Sequence, residues 1–399
     1  MRYDPKKEDM KFYNRSRFLW SIFLLCLIVQ AVQLTIVGCS HTSPYYHQDI
    51  PAIGKQDIET ENTLQYRILL IGDAGLPKQD EPVLQTLHSW TKKSPEKTSV
   101  VFLGDNMYPD GMTERKKHEA ATRLGPQLDV IKSTDAHGLF IPGNHDWTNG
   151  KKVGYRALLA QEEYINDALT RTPKFLPQGG MPGPVMLELP ESAPVVRIVV
   201  LDTQWWLHKY EKPTASTDTV VNKLKEYLDT ELPVIVVGHH PLQSYGIHGG
   251  FFDWKAHLFP GRLAHKWLFV PVPIVGSLYP LVRWYVVKSD QDLNGARYKY
   301  MVSQLNAALS TRKKSPLLIY ASGHEHSLQV LEGDVTDYLL VSGLGSSEKA
   351  TEVSHGDNTL FAHQHSGFMA LDFLVNGEVL LRVVEPADTE VVFQHWLKK

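Results

Sequence analysis

Five short polar motifs contain residue types that bind metal ions. They are Asp73 in IGDAG, Asp105 and Tyr108 in GDNMY, Asn144-His145-Asp146 in GNHD, His239-His240 in VVGHHP, and His324 and His326 in SGHEHS. Carboxylate, amide and phenol oxygens, together with imidazole nitrogens, are donors that iron, zinc and manganese accept. Each motif alone is a weak signal, because a Gly-Asp-Asn turn or a lone histidine is common. The ordered set predicts a metal centre.

Short apolar runs precede the motifs and predict strands buried on both faces. The runs are YRILLIGDAG, TSVVFLGDN, HGLFIPGNHD, VVRIVVLDT, LPVIVVGHHP and PLLIYASGHEH. Helices are predicted between several of them, at Glu81–Lys93, Gly154–Leu169, Thr217–Thr230 and Tyr298–Arg312. This alternation indicates an α/β architecture, in which ligand sites form at the carboxyl ends of the strands.

Four later runs resemble strands without long helices between them: DYLLVSGLG, GFMALDFLV, GEVLLRVVEP and EVVFQHW. They predict a second, largely antiparallel sheet packed on the first, which gives a layered sandwich.

Composition narrows the class of protein. The chain has 399 residues, 43% of them hydrophobic, and can bury one large core or two ordinary ones. A formal charge of −3 gives no reason to expect a nucleic-acid partner. The two cysteines, Cys26 and Cys39, lie near the amino terminus and exclude a disulfide framework in the main body.

The amino-terminal region, 1–39, has the pattern of a targeting segment. A basic flank precedes an apolar run from Phe18 to Val37, and the run ends at Gly38-Cys39 in a sequence that resembles the bacterial lipobox. The alternatives are a signal peptide with lipidation of Cys39 and an uncleaved membrane anchor. Both predict export from the cytoplasm to the periplasm or cell envelope, with membrane attachment. Residues 40–64 are polar and aperiodic, which predicts a flexible tether.

An apolar insert is predicted at 251–295, rich in aromatic residues and proline. Pro271 and Pro273 prevent a straight helix through its centre. It forms either a subdomain with a small core of its own or an apolar collar that faces substrate or bilayer.

From Tyr66 to Val384 the ordered motifs resemble the calcineurin-like metallophosphoesterase superfamily, and within it the purple acid phosphatases, particularly the tartrate-resistant type. The resemblance implies a four-layer α/β/β/α sandwich of two mixed β-sheets over residues 65–399. It also implies two metal ions. Asp73, Asp105, Tyr108 and His326 would hold the first, and Asp105 would bridge to a second that Asn144, His239 and His324 also hold.

Tyr108 bears on the identity of the metals. Many members of the superfamily have a histidine two residues after the first aspartate, where this chain has Gly75. A phenolate from Tyr108 would replace that ligand, and a hard anionic oxygen suits a trivalent ion. The expected cofactors are therefore Fe(III) and a divalent Fe, Zn or Mn ion, in a coloured protein.

The resemblance also implies residues that act on the substrate. His145 would contact the phosphate and protonate the leaving alkoxide, Asp146 would orient His145 or a metal ligand, and His248 would be a second substrate-side histidine. His240 stands where the tartrate-resistant type often has tyrosine, so its role is left open. No Ser, Cys or Asp nucleophile motif is found, which favours direct in-line attack by a metal-bound hydroxide.

Three functions are compatible with the sequence. The first is an exported, membrane-tethered phosphomonoesterase of the acid phosphatase type, with phosphate esters as substrates. The alternatives are a phosphodiesterase or nucleotide pyrophosphatase of the same superfamily, and a binding lipoprotein without turnover. The apolar insert adds the hypothesis that lipid-like phosphates are substrates.

Overall fold

A computed structural model of the chain describes residues 43–48, 60–134, 136–170, 174–252, 258–259, 283–284, 289–346, 350–386 and 391–398. Nearly all of them belong to one compact unit, His41–Gly250 with Ser289–Lys399. The predicted targeting segment and most of the predicted insert lie outside the described residues. Within the described part, no helix combines the length and apolarity needed to cross a bilayer.

The strands, in chain order, are β1 (Tyr45–Tyr46), β2 (Leu64–Ile71), β3 (Thr98–Phe102), β4 (His137–Phe140), β5 (Val185–Leu189), β6 (Val196–Val200), β7 (Val234–Val237), β8 (Leu318–Ser322), β9 (Leu328–Glu332), β10 (Tyr338–Ser342), β11 (Thr359–His363), β12 (Phe368–Leu374), β13 (Val379–Val384) and β14 (Val391–Lys398). The α-helices are α1 (Pro82–Lys93), α2 (Ala120–Arg123), α3 (Gly125–Lys132), α4 (Gly154–Ala168), α5 (Thr203–Leu207), α6 (Thr217–Tyr227) and α7 (Ala296–Leu309). The four helices predicted from the sequence correspond to α1, α4, α6 and α7.

Two mixed sheets form the centre of the unit. One has eight strands in the order β1-β11-β9-β10-β8-β7-β6-β5, and the other has six in the order β14-β13-β12-β2-β3-β4. The early strands β2, β3 and β4 run parallel in one sheet, and β6, β7 and β8 run parallel in the other. The predicted α/β fold with two mixed sheets flanked by helices is therefore confirmed.

The prediction that the late strands form a second sheet of their own is wrong. They are divided between the two sheets: β12 pairs antiparallel with β2, whereas β10 pairs parallel with β8. The physical reason is that each parallel set leaves an open edge, and an added strand satisfies the free backbone groups there. The alternation of apolar and polar residues along one strand does not show which of the two sheets that strand joins.

Successive residues of the buried strands contribute to different cores. In β2, Ile68 and Leu70 belong to the core shared with strands of the other sheet, whereas Leu69 and Ile71 face a second core that includes Leu87 of α1. A third core packs α5, α6 and α7 on the eight-stranded sheet. Side chains that alternate in this way require a strand covered on both faces, and the layers are helix, sheet, sheet and helix.

Parts of the predicted tether at 40–64 contact the folded body. Tyr45 and Tyr46 pair with β11 as an edge strand. Thr60 is 2% exposed, and its hydroxyl donates to the carboxylate of Asp372 in β12. Residues 49–59 of this region lie outside the described part of the chain.

Candidate metal centre

The predicted ligands lie in loops that leave the carboxyl ends of β2, β3, β4, β7 and β8. One donor atom from each of Asp73, Asp105 and His239 lies within 4.8 Å of the others, and all three side chains are buried. The remaining four predicted ligands, Tyr108, Asn144, His324 and His326, hydrogen-bond to members of this cluster or to one another. The structure therefore brings all seven residues together.

The backbone at three of these residues is unusual. Asp73, Asp105 and His324 have φ values of 57°, 55° and 68°, in the left-handed region that non-glycine residues rarely adopt. Such conformations persist where the surroundings enforce them, and they are concentrated at functional sites. Gly143 makes the approach of two loops possible, because a Cβ atom there would lie 2.3 Å from Oδ1 of Asp105.

The first group of side chains consists of Asp73, Tyr108 and His326. The Tyr108 hydroxyl donates to Oδ1 of Asp73 at 2.7 Å and lies 3.0 Å from Nε2 of His326, which is 3.2 Å from the same carboxylate oxygen. Burial, followed by the negative charges of Asp105 and Asp73, raises the pKa of Tyr108 well above its ordinary value. A phenolate at this position therefore requires a bound cation to offset those charges.

Gly75 positions the loop that carries Tyr108. Its N–H donates to the carbonyl of Asp105 at 3.1 Å, and its own carbonyl accepts from the N–H of Tyr108 at 3.1 Å. A Cβ atom at Gly75 would lie 2.5 Å from the backbone of Asn106 and Met107. The backbone that holds Tyr108 thus fills the space that a side chain at position 75 would need.

The second group consists of Asn144, His239 and His324. Oδ1 of Asn144 lies 3.0 Å from Nε2 of His239 and 2.9 Å from Nδ1 of His324. Asn144 turns this oxygen toward both rings because its amide nitrogen donates to Oδ1 of Asn149.

The other ring nitrogens of both histidines are committed to carbonyl groups. Nδ1–H of His239 donates to Leu103 O at 2.8 Å, and Nε2–H of His324 donates to Gln291 O at 2.9 Å. When both rings are neutral, this leaves two imidazole lone pairs directed at the Asn144 oxygen, itself an acceptor. Convergent acceptors whose opposite nitrogens are held by carbonyl groups fit a metal cation.

The pKa shifts of the buried ligands differ in direction. Burial lowers the pKa of His239, but the Asp105 carboxylate, 3.4 Å away, outweighs it and raises that pKa to about 9. Burial and the neighbouring histidines lower the pKa of His324 well below its usual range. Burial opposes ionisation of Asp105, yet His239 and His145 hold its pKa well below its usual range. Asp105 stays a carboxylate in contact with both groups, as a bridging ligand must.

His145 lies at the edge of the centre, with its side chain 23% exposed. Its Nδ1 hydrogen-bonds the carbonyl of Pro109, and its Nε2 lies 3.8 Å from Oδ2 of Asp105. The ring therefore presents Nε2 toward the cluster.

Asp146 is buried and accepts hydrogen bonds from the backbone N–H groups of Asn106, Met107 and Gly143 and from the amide of Gln161. Burial, followed by the nearby Asp105, raises its pKa to about 7. These partners hold together the loops after β3 and β4. The contacts connect Asp146 with the loops that carry Asp105 and Asn144, and its role in orienting His145 or a metal ligand stays a prediction.

His248 lies beside the second group, with its ring 4.2 Å from that of His324. Its Nδ1 is 2.8 Å from Oδ1 of Asp292, a buried residue that sequence reasoning missed. Gln291, also missed, accepts from His324 and contacts His240. Both residues lie at the end of the predicted insert, where no motif marks them.

His240 is buried between Thr203 and Gln291, at 2.8 Å and 2.9 Å from its two ring nitrogens. Burial and the neighbouring His239 lower its pKa well below the ordinary value. His240 thus supports Gln291 as a neutral ring. Its role was open from the sequence, and the structure shows that it contacts a residue that also contacts His324.

Comparison with known families agrees with this geometry. The calcineurin-like phosphoesterase family matches residues 66–328, and the chain belongs to that family. Its members are metal-dependent hydrolases of phosphate esters, and the buried cluster of Asp73, Asp105 and His239 is compatible with a dinuclear centre. None of the curated protein sequences compared with the chain matched it.

Three solved structures are among those similar to this chain. GAP50, the anchor in the inner membrane complex of Plasmodium, is 16% identical, with 84% of this chain and 89% of that chain covered and a TM-score of 0.49. The purple acid phosphatase PPD1 from yellow lupin (Lupinus luteus) seeds is 14% identical, with 83% and 53% covered and a TM-score of 0.47. A dimetal phosphatase from Danio rerio is 11% identical, with 84% and 99% covered and a TM-score of 0.46.

Proposed function

We propose that this protein is a phosphomonoesterase of the purple acid phosphatase type, with a dinuclear metal centre. The observation that carries the proposal is the position of the Tyr108 hydroxyl, 2.7 Å from Asp73 and 3.0 Å from His326. A phenol buried between a carboxylate and an imidazole has the right neighbours to become a metal ligand, and it adds an anionic oxygen to the first group.

The two groups of side chains differ in the charge that they offer. Asp73, Asp105, Tyr108 and His326 would supply three anionic oxygens, which suit Fe(III), whereas Asn144, His239 and His324 add only neutral donors and suit a divalent Fe, Zn or Mn ion. When bound, two such ions neutralise phosphoryl charge and lower the pKa of water.

Two histidines would act on the substrate. Both His145 and His248 have Nδ1 fixed by an oxygen acceptor, the Pro109 carbonyl in one case and the Asp292 carboxylate in the other. Each ring is thereby oriented with Nε2 on the side opposite that acceptor, from which it would contact a phosphate or leaving-group oxygen. As an imidazolium, His145 would donate its Nε2 proton to the leaving alkoxide, and His248 in the same form would donate a hydrogen bond from Nε2 to a phosphoryl oxygen.

Metal analysis and an absorption spectrum of the purified protein test the proposal. We expect two metal ions per chain, one of them iron, and a visible charge-transfer band. Hydrolysis of p-nitrophenyl phosphate should exceed hydrolysis of its bis-ester. Faster cleavage of the bis-ester would favour a phosphodiesterase, and a metal-free, inert protein would favour a binding lipoprotein.

We further propose export and membrane attachment through residues 1–39, on the basis of the apolar run and Cys39. Metabolic labelling with a radioactive fatty acid should mark the native chain and spare Cys39→Ser. Label retained by Cys39→Ser would contradict lipidation at that residue.

The hypothesis that the apolar insert admits lipid-like phosphates rests on composition alone. Deletion of Trp267 to Val287 should spare p-nitrophenyl phosphate hydrolysis and lower activity on phosphatidic acid. Equal losses on both substrates would contradict it.

A further inference from the structure

A second concave site lies beside the candidate metal centre. It is a pocket of about 600 Å³ between the loop that follows Tyr108 and the start of α4. Met112, Thr148 and Ala157 line it with buried side chains, and Arg115 and Arg156 line it as exposed residues. We call it the arginine pocket.

The charged residues of the arginine pocket leave an excess of positive charge. Lys151 pairs with Asp110 at 2.7 Å, and Glu114 pairs with Lys117 at 2.9 Å. Arg115 and Arg156, in contrast, form no ion pair or hydrogen bond with any residue in the described part of the chain. A pair of unneutralised guanidinium groups is suited to bidentate binding of a phosphate or carboxylate.

Hydrogen-bond donors also line the arginine pocket, in addition to the two guanidinium groups. The Thr148 side chain is fully buried, and its hydroxyl has no hydrogen-bond partner within the described residues. A buried hydroxyl without a partner is costly, and a rotation of the Thr148 side chain toward the pocket that it lines would let a bound anion accept from it. Arg156 belongs to the first turn of α4, where backbone N–H groups lack acceptors within the helix and the helix dipole favours an anion.

The arginine pocket lies next to His145. Pro109, adjacent to Asp110 in the lining, accepts from the His145 ring, and the Thr148 N–H donates to the His145 carbonyl at 2.8 Å. His145 is the residue to which the proposed function assigns protonation of the leaving group. The arginine pocket thus adjoins the loop that carries His145, and a leaving portion long enough to extend over that loop would reach it.

We propose that the arginine pocket binds a second anionic group carried by the leaving portion of the substrate. This inference rests on the proposed function and specifies its substrates as phosphomonoesters with a further phosphate or carboxylate. Free phosphate has the same chemistry, so the test must separate an anion attached to the substrate from an anion in solution.

Hexyl phosphate and 1,6-hexanediol bisphosphate form a matched pair, since the two ends of the bisphosphate are equivalent. With the metal-loaded, full-length protein, we expect KM for the bisphosphate to be about ten-fold lower. Arg115→Ala with Arg156→Ala should abolish that preference and leave kcat/KM for hexyl phosphate within about two-fold. The matched control, Lys132→Ala with Arg297→Ala, removes the same charge from α3 and α7 and should keep the preference.

Calorimetric titration with inorganic phosphate supplies the second readout. The native protein should bind two equivalents, one at the metal centre and one in the arginine pocket, and the double arginine variant should bind one. Equal KM values for the two esters in the native protein would overturn the proposal. If two phosphate ions still bind in that case, the arginine pocket binds free phosphate and not an anion of the substrate. If neither ester is hydrolysed, the proposed function fails. Loss of the second bound phosphate in the double arginine variant would still support an anion site in the arginine pocket.

Discussion

The hydroxyl of Tyr108 donates a 2.7 Å hydrogen bond to Oδ1 of Asp73, and Gly75 links the two loops that carry them. This pair joins the first motif to the second and places a phenol oxygen where the proposed Fe(III) ligands converge. Tyr108→Phe keeps the ring and removes the oxygen. We expect loss of the visible absorption band and weaker binding of iron, with the second ion retained. A band that persists in this variant would show that another residue is the source of the colour.

Gly75 should tolerate no side chain. In Gly75→Ala, the new Cβ would lie 2.5 Å from the backbone of Asn106, so the loop that carries Tyr108 must shift. Overpacking of this kind costs about 1–3 kcal/mol, and we expect a lower unfolding temperature together with loss of iron. Gly125→Ala is the matched control, because its added Cβ has no atom within 4 Å apart from its chain neighbours and its own helix backbone. Equal stability of the two variants would contradict the packing argument.

Asn144 and Asp105 should differ in their effect on metal content. Asn144 contacts only the second group, through His239 and His324, whereas Asp105 contacts both groups. We expect Asn144→Ala to retain about one ion per chain and Asp105→Ala to retain neither. Elemental analysis of the dialysed variants measures this, and two ions retained by Asp105→Ala would rule out a bridging role.

Asp202 should make stability depend on pH. Burial raises its pKa to about 7 although Trp205 N–H and the Trp147 indole donate to it. The folded chain therefore binds a proton more tightly than the unfolded chain, whose aspartate titrates near pH ~4. Between these values the free energy of unfolding should decrease as pH rises, by up to about 4 kcal/mol in total.

Asp202→Asn, which cannot ionise and still accepts at the start of α5, should flatten that decrease in urea titrations at pH 4 to 7.5. An unchanged slope would assign the effect to another group such as Asp146.

The strands and main helices could be predicted because their signals are local. Continuous apolar runs followed by glycine and a polar residue indicate buried strands, and those strand ends placed Asp73, Asp105 and His239 in one cluster. Asp292 and Gln291 could not be found in this way, because they follow a long insert and their partners His248 and His324 are set by tertiary contacts. The contacts of Asp146 could not be predicted either, because it accepts from backbone N–H groups of another loop, and every residue type except proline has such a group.

The predicted ligands come from both sheets: Asp73, Asp105 and Asn144 follow strands of the six-stranded sheet, and His239 and His324 follow strands of the eight-stranded sheet. Bound ions would thus cross-link the two sheets. The affinity for metal would therefore depend on how the two sheets pack against each other. Ile235 is buried in the core between the two sheets, and Ile235→Val would leave a cavity there. We expect this variant to bind metal more weakly although no ligand is changed.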